Sequence, residues 1–389
     1  MAKTPIGGYL PTLDGWRAIA ILAVLLDHAV GYSSLGSVSS VFALTRVGPN
    51  GVSLFFAISG FLICSRLLEE ERAFGKISLR GFYIRRACRI LPPAMFYLIA
   101  IAILSFFGLI IVTRAEWWSS VFFFRNYLPP SWRNRGWGGY TIHYWSLAVE
   151  EHFYLLWPAA LVWFGKQRAR WFAGGLAVAV AVWRMWDFHA HWFDRVIPGL
   201  LIGTRTDIRL DALLLGCLAA LLLEEEGIRA AFARHFSSWI WGLCIAGYVG
   251  LQLVQRVRNY SIVESALLPL IVAGTVYVQR GWITSLLESR PLKWVGRLSY
   301  SLYLWQQLFS VSEAGSRLSA VQRWPLNLGL LFLMAWLSYR FIERPLIRLG
   351  HRLAPPPTEG REDLTLTGDR GSGETETEAR PPGEMRASA

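Results

Sequence analysis

Arg17 and His28 stand 11 positions apart in the stretch LDGWRAIAILAVLLDHAVGY. On an α-helix that is close to three whole turns, so they share a face and lie roughly 16 Å apart along the axis. Nine uninterrupted apolar residues precede Asp27 and His28. An ionisable group in such a run is costly in lipid and points to a functional path or a buried partner. An imidazole there serves as a general base or accepts a group covalently. It serves equally as a satisfied histidine inside a helix bundle. Asp14 reads as the N-cap of this helix.

A second group is ISLRGFYIRRACRILPP, residues 77–93. Arg86 and Arg89 are three apart and neighbour each other on a helix face. Guanidinium forks at a membrane mouth suit phosphate, although an ordinary topogenic charge run has the same composition. A third is HYWSLAVEEHFYLLWP, residues 143–158, with Glu150, Glu151 and His152 inside an apolar, aromatic segment. Two adjacent carboxylates cannot both face lipid, so at least one turns to a polar interior. Asp14, Glu151 and Asp211 are candidate supporting residues. Asp211 and Glu343 read more as structural partners than as chemistry. His189 and His191 form an HxH, but no further ligands complete a metal site, so no metal is expected.

These residues need a scaffold that brings them together in an apolar medium. The chain has 389 residues, 53% hydrophobic and 17% charged, with 14% aromatics and mean hydropathy +0.35. That excludes a disordered chain, a coiled coil and an ordinary nucleic-acid-binding module, because a soluble domain carries about 25% charged residues. The expected fold is an all-α integral membrane bundle of about ten transmembrane helices. Apolar segments fall near 15–32, 51–68, 91–112, 142–164, 171–186, 206–223, 238–254, 262–278, 297–313 and 325–343. Two shorter stretches, 117–124 and 196–204, read as re-entrant or interfacial.

The net charge of +12 looks like a nucleic-acid signal, but its distribution points to lipid. Arg66, Arg72, Lys76, Arg80, Arg85, Arg86 and Arg89 follow the second segment, GKQRAR follows the fourth, and Arg340, Arg344, Arg348 and Arg352 close the last. The alternate loops are poorer in basic residues, so the positive-inside rule places both termini in the cytoplasm. Residues 354–389 hold eight acidic against four basic residues and almost nothing apolar, which predicts a disordered cytoplasmic tail. The first apolar run lacks a small-x-small cleavage site and reads as a retained span rather than a signal peptide. Cys64, Cys88, Cys217 and Cys244 are scattered in or beside apolar runs and show neither metal nor disulfide spacing.

Seven blocks in order resemble the membrane acyltransferase 3 family: TLDGWRAIAILAVLLDHA, GVSLFFAISGFLI, ISLRGFYIRRACRILP, WSLAVEEHFYLLWP, RLDALLLG, GRLSYSLYLW and SYRFIERPL. The resemblance covers residues 10–348 as one transmembrane domain, followed by the tail from 354. It implies a bacterial multi-pass protein of the cytoplasmic membrane. The implied activity is transfer of an acyl group, usually acetyl, from cytoplasmic acyl-CoA to a hydroxyl of lipopolysaccharide O-antigen, another glycan or glycolipid, or a macrolide. The family's R-x10-H element maps onto Arg17 and His28, its R-x-x-R element onto Arg86 and Arg89, and its paired glutamates onto Glu150 and Glu151. Where relatives commonly have Gln after the glutamate pair, this chain has His152; where SLYLW often continues with His, it has Gln306-Gln307. Some relatives carry a C-terminal SGNH hydrolase-like domain. The short tail implies that this chain acts alone or hands over to separate proteins.

The expected roles are then His28 as general base or acyl relay, Glu150 orienting or charge-balancing it, and Arg17, Arg86 and Arg89 holding the acyl-CoA donor. The competing class is a transporter or flippase with an intramembrane proton relay. A third reading is an antibiotic-tailoring O-acyltransferase, with the same chemistry and a macrolide acceptor.

Overall fold

Apolar segments bounded by basic or Gly/Pro-containing turns bury their backbone polar groups only as helices, and the regular secondary structure among the described residues of the computed structural model is entirely helical. The described residues are 9–31, 47–129, 139–200, 202–254, 262–278, 281–310 and 317–355. The first helices are α1 (Pro11–Gly31), α2 (Val47–Phe74), α3 (Leu79–Phe106) and α4 (Arg114–Val121). A long α5 (Tyr144–Ala190) and a short α6 (Trp192–Val196) lead to α7 (Thr206–Glu224), α8 (Glu226–His235) and α9 (Ser238–Val254). Then come α10 (Ile262–Tyr277), α11 (Trp282–Leu287), α12 (Arg290–Ser310), α13 (Leu326–Ser338) and α14 (Arg344–Leu353), the last two joined through a π-turn at Tyr339–Glu343.

Among the described residues, three stretches are long and apolar enough to cross a membrane: Val47–Phe74, Leu79–Phe106 and Leu326–Leu353. Outward faces among them are apolar as well. Phe106 is 85% exposed and Phe341 63% exposed, which a lipid surface accommodates and water does not. The expected tail beyond Pro355 lies outside the described residues.

The structure changes several expected boundaries. Asp14 does not precede α1 but sits in its first turn, because the helix already starts at Pro11, a residue suited to a first helical position. Arg85, Arg86 and Arg89 do not lie in a loop. Ser78 caps α3 by accepting from the Gly81 N–H at 3.1 Å, so the helix begins well before the arginines. The segments 142–164 and 171–186 are one element, α5, interrupted at Gly165 alone. Its φ of 66° is a left-handed conformation that glycine adopts without strain. The stretch 117–124 overlaps α4, and 196–204 holds the end of α6 and a single 3-10 turn at Ile202–Thr204.

The interior is organised around α2, which packs against α7 and α1, while α1 also packs along α12 and α5 against α7. Helices α2 and α7 meet backbone to backbone: a Cβ on Gly60 would lie 2.0 Å from Leu213 O, and one on Gly216 2.5 Å from Ala57 O. Small residues permit this approach in the absence of a hydrophobic drive between helices in lipid. Buried polar pairs tie α5, α7 and α10 together. Arg184 donates to Asp211 at 2.9 Å, and Ser265 donates to the same carboxylate at 2.8 Å.

Candidate active site

Helix periodicity delivers charged and hydroxylated side chains from five helices to one cavity of about 690 Å³, part of it open to the outside. Arg17 comes from α1, Ser59 from α2, Arg86 and Arg89 from α3. Ser146, Glu150, Glu151 and Tyr154 come from α5, and Ser299, Tyr300 and Tyr303 from α12. In α3 the arginines sit just before Pro92 and Pro93, which cannot donate backbone hydrogen bonds into the preceding turn. Tyr300 reaches this turn from α12 and donates to Ile90 O at 2.8 Å, joining α12 to the arginine-bearing turn.

The arginines are not alike. Arg85 pairs with Glu70 at 2.8 Å and is spent on structure. Arg17 holds Asp14 at 3.4 Å, and Asp14 is further engaged by Arg297 at 3.6 Å and by the Tyr9 hydroxyl at 2.6 Å. Tyr9 stands before α1; burial, then its bond to Asp14, raises its phenol pKa and keeps it a donor. Neither Arg86 nor Arg89 forms an ion pair among the described residues. The Arg86 guanidinium lies 3.7 Å from the Tyr154 ring centroid as a cation–π contact, and its Nε is buried without a hydrogen bond. Glu150 accepts from Ser59 Oγ at 2.8 Å. A cavity in an apolar bundle with two arginine side chains uncommitted to carboxylates is suited to an anionic ligand, because burying a cation without a partner is costly.

The expected residues divide accordingly. Arg17, Arg86, Arg89, Glu150 and Glu151 meet in the cavity. His28 is not among its lining residues. The His28 Nδ1 donates to Val24 O at 3.0 Å, which leaves Nε2 as the nitrogen free to take a proton. The neighbours of His28 are the Gln306 amide, Asp27 and His143 rather than Glu150. The expected Glu150–His28 dyad is therefore not formed: Glu150 is held by Ser59 on a different helix pair. Asp211, expected as a support, lies away from the cavity in its pair with Arg184. Glu343 is buried and accepts from Ser301 at 2.9 Å. His152 is held by Thr206 at 2.8 Å.

Sequence reasoning did not single out Ser59, Ser146, Tyr154, Ser299, Tyr300 or Tyr303. Neutral hydroxyls in an aromatic-rich chain carry no charge signal, and only the spacing of Ser299, Tyr300 and Tyr303 on one face of α12 would have marked them.

A family model described as an acyltransferase domain matches residues 10–343. The chain belongs to this acyltransferase family. It is similar to the peptidoglycan O-acetyltransferase OatA of Listeria monocytogenes, 28% identical over 374 residues, covering 88% of this chain and 56% of the relative. It is also similar to O-acetyltransferase OatA of Staphylococcus aureus, 27% identical over 363 residues, covering 88% and 58%. A putative peptidoglycan O-acetyltransferase of Bacillus subtilis, YrhL, is 29% identical over 378 residues, covering 90% and 57%. The chain thus spans little more than half the length of these relatives. No solved structure matches it. Membership in an acyltransferase family makes this an enzyme that transfers acyl groups.

Proposed function

We propose that this chain is a multi-pass O-acyltransferase of the bacterial cytoplasmic membrane, with both termini in the cytoplasm, which moves an acyl group from acyl-CoA to a glycan hydroxyl. The names of its relatives favour acetyl as the acyl group and a peptidoglycan-type glycan as acceptor over lipopolysaccharide or a macrolide. The observation that carries the reading is the pair Arg86 and Arg89, projecting into a cavity with no carboxylate of the described residues at ion-pair distance from either. Arginine forks bind CoA phosphates bidentately, with Arg17 adding charge on the same side.

The pantetheine arm then runs along the cavity past Ser146 and Tyr303 towards His28. The His28 Nε2 removes the acceptor hydroxyl's proton as that oxygen attacks the thioester carbonyl. The carbon–sulfur bond breaks, and the imidazolium returns the proton to the leaving thiolate. His28 taking the acyl group first and passing it on gives the same overall balance. Glu150 and Glu151 counter the arginine charge, so that the cavity is not left with an unrelieved cationic field when empty. A transporter would share the buried acids but has no use for thioester cleavage. The test is purified protein in lipid nanodiscs with acetyl-CoA and a glycan acceptor. Acceptor-dependent release of free CoA is expected, and its absence with bound acetyl-CoA would sink the reading.

A further inference from the structure

Beyond Ser146 and Tyr303 lies a second polar site that the donor cavity does not include. The Ser146 and Tyr303 hydroxyls are 2.6 Å apart, and Tyr303 donates to His143 O at 3.2 Å. Both residues line the arginine cavity, and the Tyr303 ring stands 5.7 Å from the His143 ring. His143 is 3% exposed; one ring nitrogen is directed at the Leu304 carbonyl, and the other has no hydrogen-bond partner among the described residues. Gln306 is fully buried; one end of its amide is directed at His28, and the other has no hydrogen-bond partner among the described residues. Gln307 donates from Nε2 to Gly139 O at 3.3 Å, and its buried Oε1 is left over. A fold gains nothing by burying such groups unpaired, since apolar residues of the same size would pack there without the desolvation cost.

We infer that His143 and Gln306, with His28, form the subsite for an uncharged, hydroxyl-bearing acceptor such as a sugar ring. This rests on the acyltransferase reading and adds where the acceptor sits. The orphan atoms are neutral donors and acceptors, the set that a hydroxyl satisfies in both directions. The charged neighbours do not alter this character. Arg125, near His143, is committed to Thr141 at 2.9 Å and Glu116 at 3.4 Å, and Asp27 is the one carboxylate acting on His28. A phosphate would find its cations in the arginine cavity. The rings of Tyr97 and Tyr144 pack edge-on against that of His143, with centroids 5.2 and 5.0 Å away, and fix its orientation. Their hydroxyls are already spent on Tyr140 O and Ala94 O, at 2.6 and 2.7 Å. The two sites are thus chemically distinct, anionic donor on one side and neutral acceptor on the other, with His28 beside the acceptor.

The test uses the full chain in nanodiscs with labelled acetyl-CoA and an N-acetylglucosamine tetrasaccharide as probe. His143→Leu and Gln306→Leu are expected to raise the acceptor KM by about tenfold or more, because a site built around a hydroxyl is left with unpaired groups. Acetyl-CoA binding stays within about twofold of wild type, a difference too small to reflect a lost contact. His143→Gln, which keeps a donor and an acceptor, retains more of the wild-type acceptor KM than His143→Leu does. If His143→Leu fails to insert, Gln306→Leu decides alone. An unchanged acceptor KM in a wild-type background that acylates the tetrasaccharide overturns the subsite and leaves the acyltransferase reading standing. Turnover of acetyl-CoA without acylation of the tetrasaccharide overturns the assignment to neutral glycan hydroxyls. A wild type that neither binds acetyl-CoA nor releases CoA removes the functional reading and the subsite with it.

Discussion

The Glu150 carboxylate accepts a hydrogen bond from Ser59 Oγ at 2.8 Å, fastening α5 to α2 at the wall of the arginine cavity. This places its charge against Arg86 rather than against His28. Glu150→Gln keeps an oxygen for Ser59 but removes a negative charge facing the proposed phosphate site. The expected result is a lower KM for acyl-CoA, most marked at low salt, with the acceptor KM unchanged. Kinetics in nanodiscs at two ionic strengths check this. An unchanged donor KM with a collapse in kcat would instead return Glu150 to the role of an orienting partner for the imidazole.

Arg86 and Arg89 should control donor affinity and little else. Arg86→Lys keeps the charge but loses the planar fork and its stacking on Tyr154. We expect a KM for acyl-CoA raised by about tenfold, the worth of one charge-assisted hydrogen bond, with normal insertion. Dephospho-CoA thioesters should lose less from the same substitution than acyl-CoA does, if the missing phosphate is the one that Arg86 holds. A variant with wild-type donor dependence would reduce the pair to topogenic charge.

Asp211 makes the opposite prediction. It is buried at the junction of α5, α7 and α10, with Arg184 at 2.9 Å and Ser265 at 2.8 Å as its partners. Asp211→Ala leaves Arg184 charged and unpaired in the interior, which costs about 3–5 kcal/mol. Thermal stability in detergent should fall sharply, while the KM values of the protein that remains folded stay near wild type. A selective rise in either KM without loss of stability would return Asp211 to the site.

What was readable in the sequence follows from what lipid penalises. Charges within apolar runs are conspicuous because the medium makes them expensive, so Arg17, Arg86, Arg89, Glu150 and Glu151 could be picked out one by one, and the bundle brings them to one cavity. The α9 helix, Ser238–Val254, coincides with the apolar run 238–254 because that run is bounded by polar residues on both sides. Boundaries set by a cap rather than by hydropathy were not readable: Ser78 starts α3 ahead of a charge run that resembles a loop. Neutral partners were also invisible. Nothing in the letters distinguishes Ser59, which meets Glu150 across 91 positions, from any other serine in a small-residue helix. The helix-face argument for Arg17 and His28 holds as geometry, but it could not show that Tyr303 and Ser146 line the cavity while His28 does not.

His28 carries the most exacting prediction. Its Nδ1–H is committed to Val24 O at 3.0 Å, which fixes the ring and leaves Nε2 as the basic atom, with Gln306 and His143 as neighbours. A histidine serving only to pack would tolerate Gln, which has a similar size and keeps a hydrogen-bonding group. A base or an acyl carrier would not, because an amide neither takes the proton nor holds the acyl group. Removal of a general base costs about 10²–10⁴-fold in rate. His28→Gln should therefore insert normally, bind acetyl-CoA at the arginine cavity some three helical turns away, and lose acceptor acylation by about that factor. The donor-binding measurement matters, because it separates a lost chemical group from a damaged fold. Should His28→Gln keep more than about a tenth of wild-type acylation, less than the expected loss, the base lies elsewhere. The buried imidazole of His143 would be the next to test.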